Sequence, residues 1–376
     1  MLSNVLTERK EFCEKDGTYE HATLSKDGIY GKTDRYNRDF LVADENKAYK
    51  ITHKWDLCYN PANLKFGVIC LNTYGDAIFS PIYVTFDISN SFSKEFIGYA
   101  LSRWNFINRA LRFQQGTVYD LMAVSPEDFL TIHCRFPKLN EQEKIADFLR
   151  LIDQRIAKQI EYVEHLKKYK RGVVKTLLDP KQNKRQGVTW TTDTIGNLGT
   201  FIKGAALSKA DISDLGTPFI LYGELYTTYK EVVRSIVRTT QASVDDVYLS
   251  RIGDVVSPTS GETPEEISTA SCIMVPNVIL AGDLNIYRST IVDGRIMSYL
   301  LNHIVNDQIA RVAQGKSVVH VQASEIGKIS ITYPDHDEQA RIAEILELID
   351  NRIAHSEASL SSMQEMKKAL LQQLFI

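Results

Sequence analysis

Two long stretches of this chain place apolar residues at alternating steps of four and three, the spacing that keeps one face of a helix against another helix. In the first stretch the face reads Ile145, Leu149, Ile152, Ile156, Gln159, Val163, Leu166, Lys170, Val173 and Leu177. In the second it reads Ile342, Leu346, Ile349, Ile353, Ser356, Leu360, Met363, Lys367, Leu370 and Leu374. A polar residue and a lysine interrupt both faces at the same two places. Polar residues in such a seam cost stability but fix register and partner, so the matched interruptions predict that the two helices pack on each other. Each would be roughly 55 Å long if unbroken, at about 1.5 Å per residue. The competing arrangement is two ordinary amphipathic helices, each on its own domain; it sits poorly with helices running well past about 20 residues.

The match extends beyond periodicity. Phe136-Pro137-Lys138-Leu139-Asn140-Glu141-Gln142 returns 197 positions later as Tyr333-Pro334-Asp335-His336-Asp337-Glu338-Gln339. From there Ile145, Ala146, Leu149, Leu151, Ile152, Asp153, Arg155, Ile156 and Ala157 meet Ile342, Ala343, Leu346, Leu348, Ile349, Asp350, Arg352, Ile353 and Ala354 without a gap. The offset is about half the chain, which predicts two copies of one architecture, each a globular part followed by a helix.

The stretches outside the helices, 1–135 and 190–332, read as short β-rich runs broken by Gly, Pro and Asn. Examples are Val68-Ile69-Cys70-Leu71, Ile82-Tyr83-Val84-Thr85-Phe86 and Ile329-Ser330-Ile331-Thr332. Helical stretches intrude near Phe96–Gln114 and Arg295–Ala313, so the fold class is α+β. Sequence in common between the two parts is slight outside landmarks such as Trp55-Asp56 beside Gly253-Asp254 and Gly116 beside Gly315. The expected boundaries are a globular part at 1–138, a helix at 139–179, a second globular part at 180–335 and a second helix at 336–376. Near-identical helices joined to divergent globular parts suggest a shared scaffold with two different reading heads.

Composition narrows the class. A chain of 376 residues with 44% hydrophobic residues holds two to three domains with real cores. Five scattered cysteines without a CxxC, and eight histidines without HxxxH or HExxH, signal no zinc or redox site. Glu8, Arg9, Lys10 and Glu11 interrupt the first dozen residues, and no apolar run approaches the roughly 18 residues of a membrane span, so the reading expects no signal peptide and a reducing cytoplasm. The net charge of −3 argues against a wholesale basic nucleic-acid binder. Local clusters remain: Lys26-Lys32-Arg35-Arg38, and Lys167-Lys168-Lys170-Arg171 continuing through Lys175 to Lys181-Lys184-Arg185. Either is dense enough to hold phosphates if its members share a face, and either can instead be a solvated surface.

Catalytic motifs fail on inspection. A base-flipping methyltransferase needs an Asn/Asp-Pro-Pro-aromatic loop, and Asn60-Pro61-Ala62-Asn63 lacks the second proline and the aromatic. A P-loop ends like Gly315-Lys316-Ser317, but Ala310 stands where its first glycine belongs. Glu141-Gln142-Glu143-Lys144 lacks a preceding Pro-Asp and opens a helix, where acids in the first turn favour the positive end of the dipole.

The order of globular part, Pro-x3-Glu-Gln-x-Lys/Arg-Ile-Ala helix, second globular part and second such helix resembles the specificity subunit of type I restriction-modification systems over essentially the whole chain. Asp56-Leu57-Cys58-Tyr59-Asn60-Pro61-Ala62-Asn63 resembles a recurrent loop of that family's target recognition domains. So does Gly253-Asp254-Val255-Val256-Ser257-Pro258-Thr259-Ser260-Gly261-Glu262-Thr263-Pro264, with Gly282-Asp283-Leu284-Asn285 downstream. The resemblance implies a non-catalytic chain whose two recognition domains each read one half of a bipartite DNA sequence. It implies an antiparallel coiled coil of the two helices, with a pseudo-twofold axis, that spaces the domains and docks two methylase subunits, restriction subunits joining the full complex. No cofactor belongs to this chain; S-adenosylmethionine is expected in the methylase partner, ATP and Mg in the restriction partner.

Loop position and side-chain type then nominate Lys32, Arg35, Tyr59, Asn60, Asn63 and Lys65 in the first domain as DNA contacts. In the second they nominate Tyr222, Ser260, Glu262, Thr263, Asn285 and Lys316. Lys and Arg would hold phosphates, and the others would read base edges. For Asn60-Pro61 and Ser257-Pro258 plain turn chemistry is the alternative, and Glu262 could equally bind a neighbouring lysine. The second domain is entered through Trp190-Thr191-Thr192-Asp193-Thr194-Ile195-Gly196-Asn197-Leu198, whereas the first begins at Leu2-Ser3-Asn4-Val5. A leading segment is expected to be absent there, so that the first domain closes without it or the far carboxyl end, Leu374-Phe375-Ile376, packs nearby. Two rival classes remain: a fused restriction-methylation enzyme fragment that binds S-adenosylmethionine itself, and a coiled-coil scaffold joining two ligand-binding domains.

Overall fold

The computed structural model describes residues 1–14, 17–32, 48–116, 122–183, 185–313 and 319–375. The chain divides into two compact units, Met1–Ile160 with Ser359–Ile376, and Glu161–Ala358. Both predicted long helices form, as Leu139–Leu178 and His336–Gln373, and each contributes one part of its length to each unit. None of the seam positions is exposed, the two lysines included.

Unit 1 contains a four-stranded sheet in the order Leu6–Glu8, Val84–Ile88, Leu57–Tyr59, Ile69–Leu71, with Leu6 opposite Ile88, Leu57 opposite Phe86 and Cys58 opposite Cys70. Unit 2 contains Gly199–Lys203, Leu284–Ser289, Asp254–Pro258 and Ser271–Ile273 in the same order, extended by Val232–Val233. In each unit a second sheet holds a parallel pair, His21 beside Ile78 in unit 1 and Ile220 beside Leu280 in unit 2. Two heads with little sequence in common therefore share a strand order. The strands are short, and central ones such as Leu57–Tyr59 and Ser271–Ile273 are buried throughout, so many apolar sequences satisfy them.

Of the landmarks shared by the heads, Trp55-Asp56 and Gly253-Asp254 are turn devices, and Gly315 lies outside the described residues. Trp55 at φ 77° and Gly253 at φ 93° occupy the same left-handed turn. The next residue, Asp56 or Asp254, accepts from the backbone N–H of His53 or Arg251, and it holds a bidentate arginine, Arg9 or Arg288. A buried carboxylate with a bidentate guanidinium and a backbone donor has its lone pairs filled, which pins the entry to the strand after it.

The repeated Glu-Gln has an equally concrete purpose. Gln142 accepts from the backbone N–H of Ser93 and donates to the Pro137 carbonyl; Gln339 does the same with Asp293 and Pro334. Ser93 and Asp293 are the N-caps of Lys94–Leu101 and Gly294–His303, so each glutamine stitches the start of a long helix to a helix of its head. Both amides are buried. Gln339→Ala is expected to lower unit 2 stability by about 2 kcal/mol, because one donor and one acceptor lose their partner away from water; an unchanged thermal unfolding midpoint would contradict this role.

Each helical stretch predicted within a head is two helices, Lys94–Leu101 with Trp104–Ala110, and Gly294–His303 with Asn306–Val312. Between the first two, Ser102 Oγ donates back to the Gly98 carbonyl and Arg103 turns extended, ending one helix and opening the next. Trp190–Thr194 pairs antiparallel with Ser330–Pro334 in unit 2. In unit 1 Leu2 N–H bonds the Ile132 carbonyl, and Phe375 packs on Phe96 while Arg103 lies over its ring and donates to its carbonyl. The far carboxyl end thus reaches the core of the first head, as one of the two expected arrangements requires.

Candidate nucleic-acid interface

In unit 1 the nominated residues separate into two groups. Tyr59 is fully buried in the strand Leu57–Tyr59, stacked against Phe86 and Phe129, and its hydroxyl donates to the Val124 carbonyl at 3.0 Å. Burial pushes its phenol well above the ordinary range. Asn60 is also buried, its side-chain oxygen accepting from Ala62 and Asn63 N–H in a turn. The Tyr59 hydroxyl and the Asn60 side-chain oxygen are spent inside the fold, which counts against Tyr59 as a DNA contact, and for Asn60-Pro61 turn chemistry is present. What that turn presents is an exposed tip, Asn63 and Lys65, followed by a left-handed Gly67. Lys65 lies over the ring of exposed Phe66. Lys32, half-buried, follows the strand Gly28–Gly31. Arg35 lies outside the described residues.

Unit 2 gathers Tyr222, Ser260 and Asn285 around the turn at Gly282-Asp283. Ser260 is buried and donates to the Asp283 carboxylate. Asn285, opposite Lys203 on one side and Ser257 on the other, lines a cavity of about 930 Å³ with Lys203, Asp283, His320, Gln322 and Ser324. Its side-chain nitrogen is the one buried side-chain polar atom without a partner among the described residues. Tyr222 lines an adjoining cavity of about 750 Å³ with Lys209, Tyr226, Arg238 and Asp283. Glu262 and Thr263 are exposed just beyond Ser260-Gly261. Thr263 caps the turn Pro264–Ile267 by accepting from Glu266, and Glu262 carries no lysine partner among the described residues. Lys316 lies outside the described residues. Sequence reading missed Lys203, Lys209, Arg238 and His320. Lys203 directly precedes Gly204, in whose place a Cβ would sit 2.8 Å from the Gly282 carbonyl, an approach between distant segments that no local pattern records.

The basic run that starts on the first long helix is divided: Lys168, Arg171, Lys175 and Lys181 are exposed, Lys184 lies outside the described residues, and three others are committed to carboxylates. Lys170 is buried between Glu231 at 2.8 Å and Asp350 at 2.6 Å, Lys167 reaches Glu357, and Arg185 pairs with Glu338. His303 adds a second partner to Glu231. Burial pushes the Glu231 carboxyl up, but His303 and Lys170 outweigh it and hold the group at about 2. Burial also lifts the Cys70 and Cys272 thiols to about 12, which keeps them protonated and unreactive. Among the described residues no group of His, Cys, Asp and Glu could hold a metal, and no helix is long and apolar enough to cross a membrane.

Residues 187–362, most of unit 2, match the family described as the type I restriction modification DNA specificity domain. The whole chain superposes on the S subunit of a type-I restriction-modification system from M. genitalium with a TM-score of 0.60 at 18% identity, covering 100% of this chain and 95% of that one. A chain from work on complex assembly and conformational transition of the type I R-M system gives a TM-score of 0.59 at 14% identity, covering 100% and 96%. At such identities the superpositions speak for the fold. No curated protein matches the chain. The match thus assigns a type I DNA specificity domain to residues 187–362, and the superpositions give the whole chain the fold of the S-subunit structures.

Proposed function

We propose that this chain reads a bipartite duplex target, one half-site per head, while an antiparallel pair of its long helices sets the distance between half-sites and docks two methylase subunits. The observation that carries the reading is the doubled architecture: one strand order in both heads, different residues at their loops, and one helix motif repeated 197 positions apart. Antiparallel pairing is supported within unit 2, where Lys167 meets Glu357 and Lys170 meets Asp350, so that rising numbers on one helix meet falling numbers on the other. Docking of two like partners is supported by apolar side chains left in solvent at repeat-related places: Leu151 and Leu348 at 59% and 70% exposure, Tyr169 and Met366 at 60% and 50%. Two equal patches fit two copies of one protein.

The chemistry follows from weak parts combined. A single correct base contact is worth about 1–3 kcal/mol, so one small head selects poorly. Two heads on a stiff connector gain effective concentration only where the half-sites are correctly spaced. Lys32, Arg35, Lys65 and Lys316 would hold phosphates; Asn63, Tyr222, Glu262 and Thr263 would approach base edges, and Asn285 would act from the floor of its cavity. The chain supplies no catalytic group or cofactor. The methylase partner would bring S-adenosylmethionine and flip its target adenine, the restriction partner ATP and Mg, in the cytoplasm.

Exchanging residues 190–332 for the corresponding part of another specificity subunit tests this. Methylated-adenine mapping in cells carrying the exchanged chain and its methylase is expected to show one half-site replaced and the other kept. Replacement of both, or of neither, would defeat the two-head reading.

A further inference from the structure

The two seam lysines, which interrupt the apolar faces 197 positions apart, end in the same surroundings. In unit 1 Lys367 of the second helix pairs with Asp153 of the first. In unit 2 Lys170 of the first helix pairs with Asp350 of the second. Asp153 and Asp350 are themselves repeat mates, so the contact is reciprocal. Each aspartate also accepts the hydroxyl of a tyrosine from the head of its unit, Tyr99 on Asp153 at 2.7 Å and Tyr299 on Asp350. Each ammonium lies over that same ring, 5.7 Å from Tyr99 and 5.0 Å from Tyr299. Burial first, and then the neighbouring aspartate, raise both phenols, which keeps them donors.

Three parts therefore meet at each point: one helix, the other helix and the head. We propose that Lys170 and Lys367 are positioning residues that lock helix register and head orientation together, and so fix the spacer length this subunit accepts. The inference rests on the proposed role of the helix pair as a ruler. The physical reason lies in what a displacement costs. Sliding one helix by a turn moves the lysine about 5.4 Å, leaving an ammonium and a carboxylate unpaired, around a buried lysine in unit 2 and a partly exposed pair in unit 1, and tilting the head withdraws the tyrosine from both. A purely apolar seam carries no such penalty, because one leucine layer accepts another. The unit 1 lock is the looser, with side-chain exposure of 27% for Lys367 against 8% for Lys170, and it faces a cavity of about 600 Å³ beside Phe66 and Trp104. In unit 2 Glu231 and His303 close around the lysine instead.

The test is binding of the full chain with its methylase to duplexes carrying its mapped motif with the native spacer or one base pair more or less. The native protein should discriminate by at least about tenfold; Lys367→Met should bind all three within about threefold, with both half-site sequences still required. Lys367→Arg, which keeps the charge, should restore discrimination. Tyr99→Phe removes a single hydroxyl and should relax spacing partway, which covers the case of a poorly folded Lys367→Met. Native discrimination in both Lys367→Met and Tyr99→Phe overturns the lock. If lengthening both helices also leaves the spacer unchanged, the ruler reading has failed; if lengthening does change it, the lock alone has failed.

Discussion

Four residues inserted after Gln159, together with four after Ser356, will lengthen the unread spacer of the methylated motif by one or two base pairs. Both positions are repeat-related polar seam residues, and neither is exposed. Four residues add about 6 Å of helix at 1.5 Å each, and B-DNA rises about 3.4 Å per pair. The rotation agrees as well: four residues turn the helix one full turn and about 40° more, while one base pair turns DNA by about 35°. A four-residue step already occurs in the heptad pattern, so the doubled insertion adds a stutter that the seam absorbs with slight unwinding. Inserting on one side alone is different. It shifts Lys170 against Asp350 by a turn, and DNA binding should fall sharply. Methylated-adenine mapping reads the outcome directly, and a motif with the original spacer in the doubly lengthened chain would remove the ruler.

What could be read in advance follows from range. The helices were legible because a heptad seam is a local repeat, and its lysines were visible as matched interruptions. Their partners were not, because Glu231 lies far along the chain from Lys170 and Asp350 farther still. The same lysine was therefore counted among candidate phosphate holders, although the fold spends it on carboxylates. The heads were legible as α+β but not as copies. Short central strands tolerate almost any apolar residue, and the order of strands is fixed by pairing across distances no local pattern records. Loop motifs misled in a consistent direction: Asp56 spends its carboxylate on Arg9, Tyr59 its hydroxyl on Val124, and Asn60 its side-chain oxygen on the turn that exposes Asn63 and Lys65. Side-chain type identifies what can bind DNA; only tertiary burial decides which of those groups is still free to do so.

Lys170→Met should destabilise unit 2 by about 3–5 kcal/mol at neutral pH, a larger loss than Gln339→Ala should cause. The lysine side chain is 8% exposed, and Glu231 and Asp350 both lean on it. Methionine fills the seam well, so the loss is not one of packing: it comes from leaving Glu231 largely buried with His303 as its remaining partner. The sign with pH follows from the depressed carboxyl. Glu231 sits at about 2 against an ordinary 4.5, a difference that corresponds to about 3 kcal/mol. That stabilisation is complete above about pH 4.5 and drains away as the pH falls toward 2, where the folded carboxyl takes up its proton. In Lys170→Met the folded carboxyl titrates nearer its unfolded value, so the mutant should lose less than the native chain over that interval, and the gap between the two should narrow as acid is added. Denaturant unfolding followed at pH 7, 5 and 3 measures it. Equal midpoints for mutant and native chain at pH 7 would show that the buried lysine contributes nothing, and a gap that widened toward pH 3 would assign its effect to a group other than Glu231.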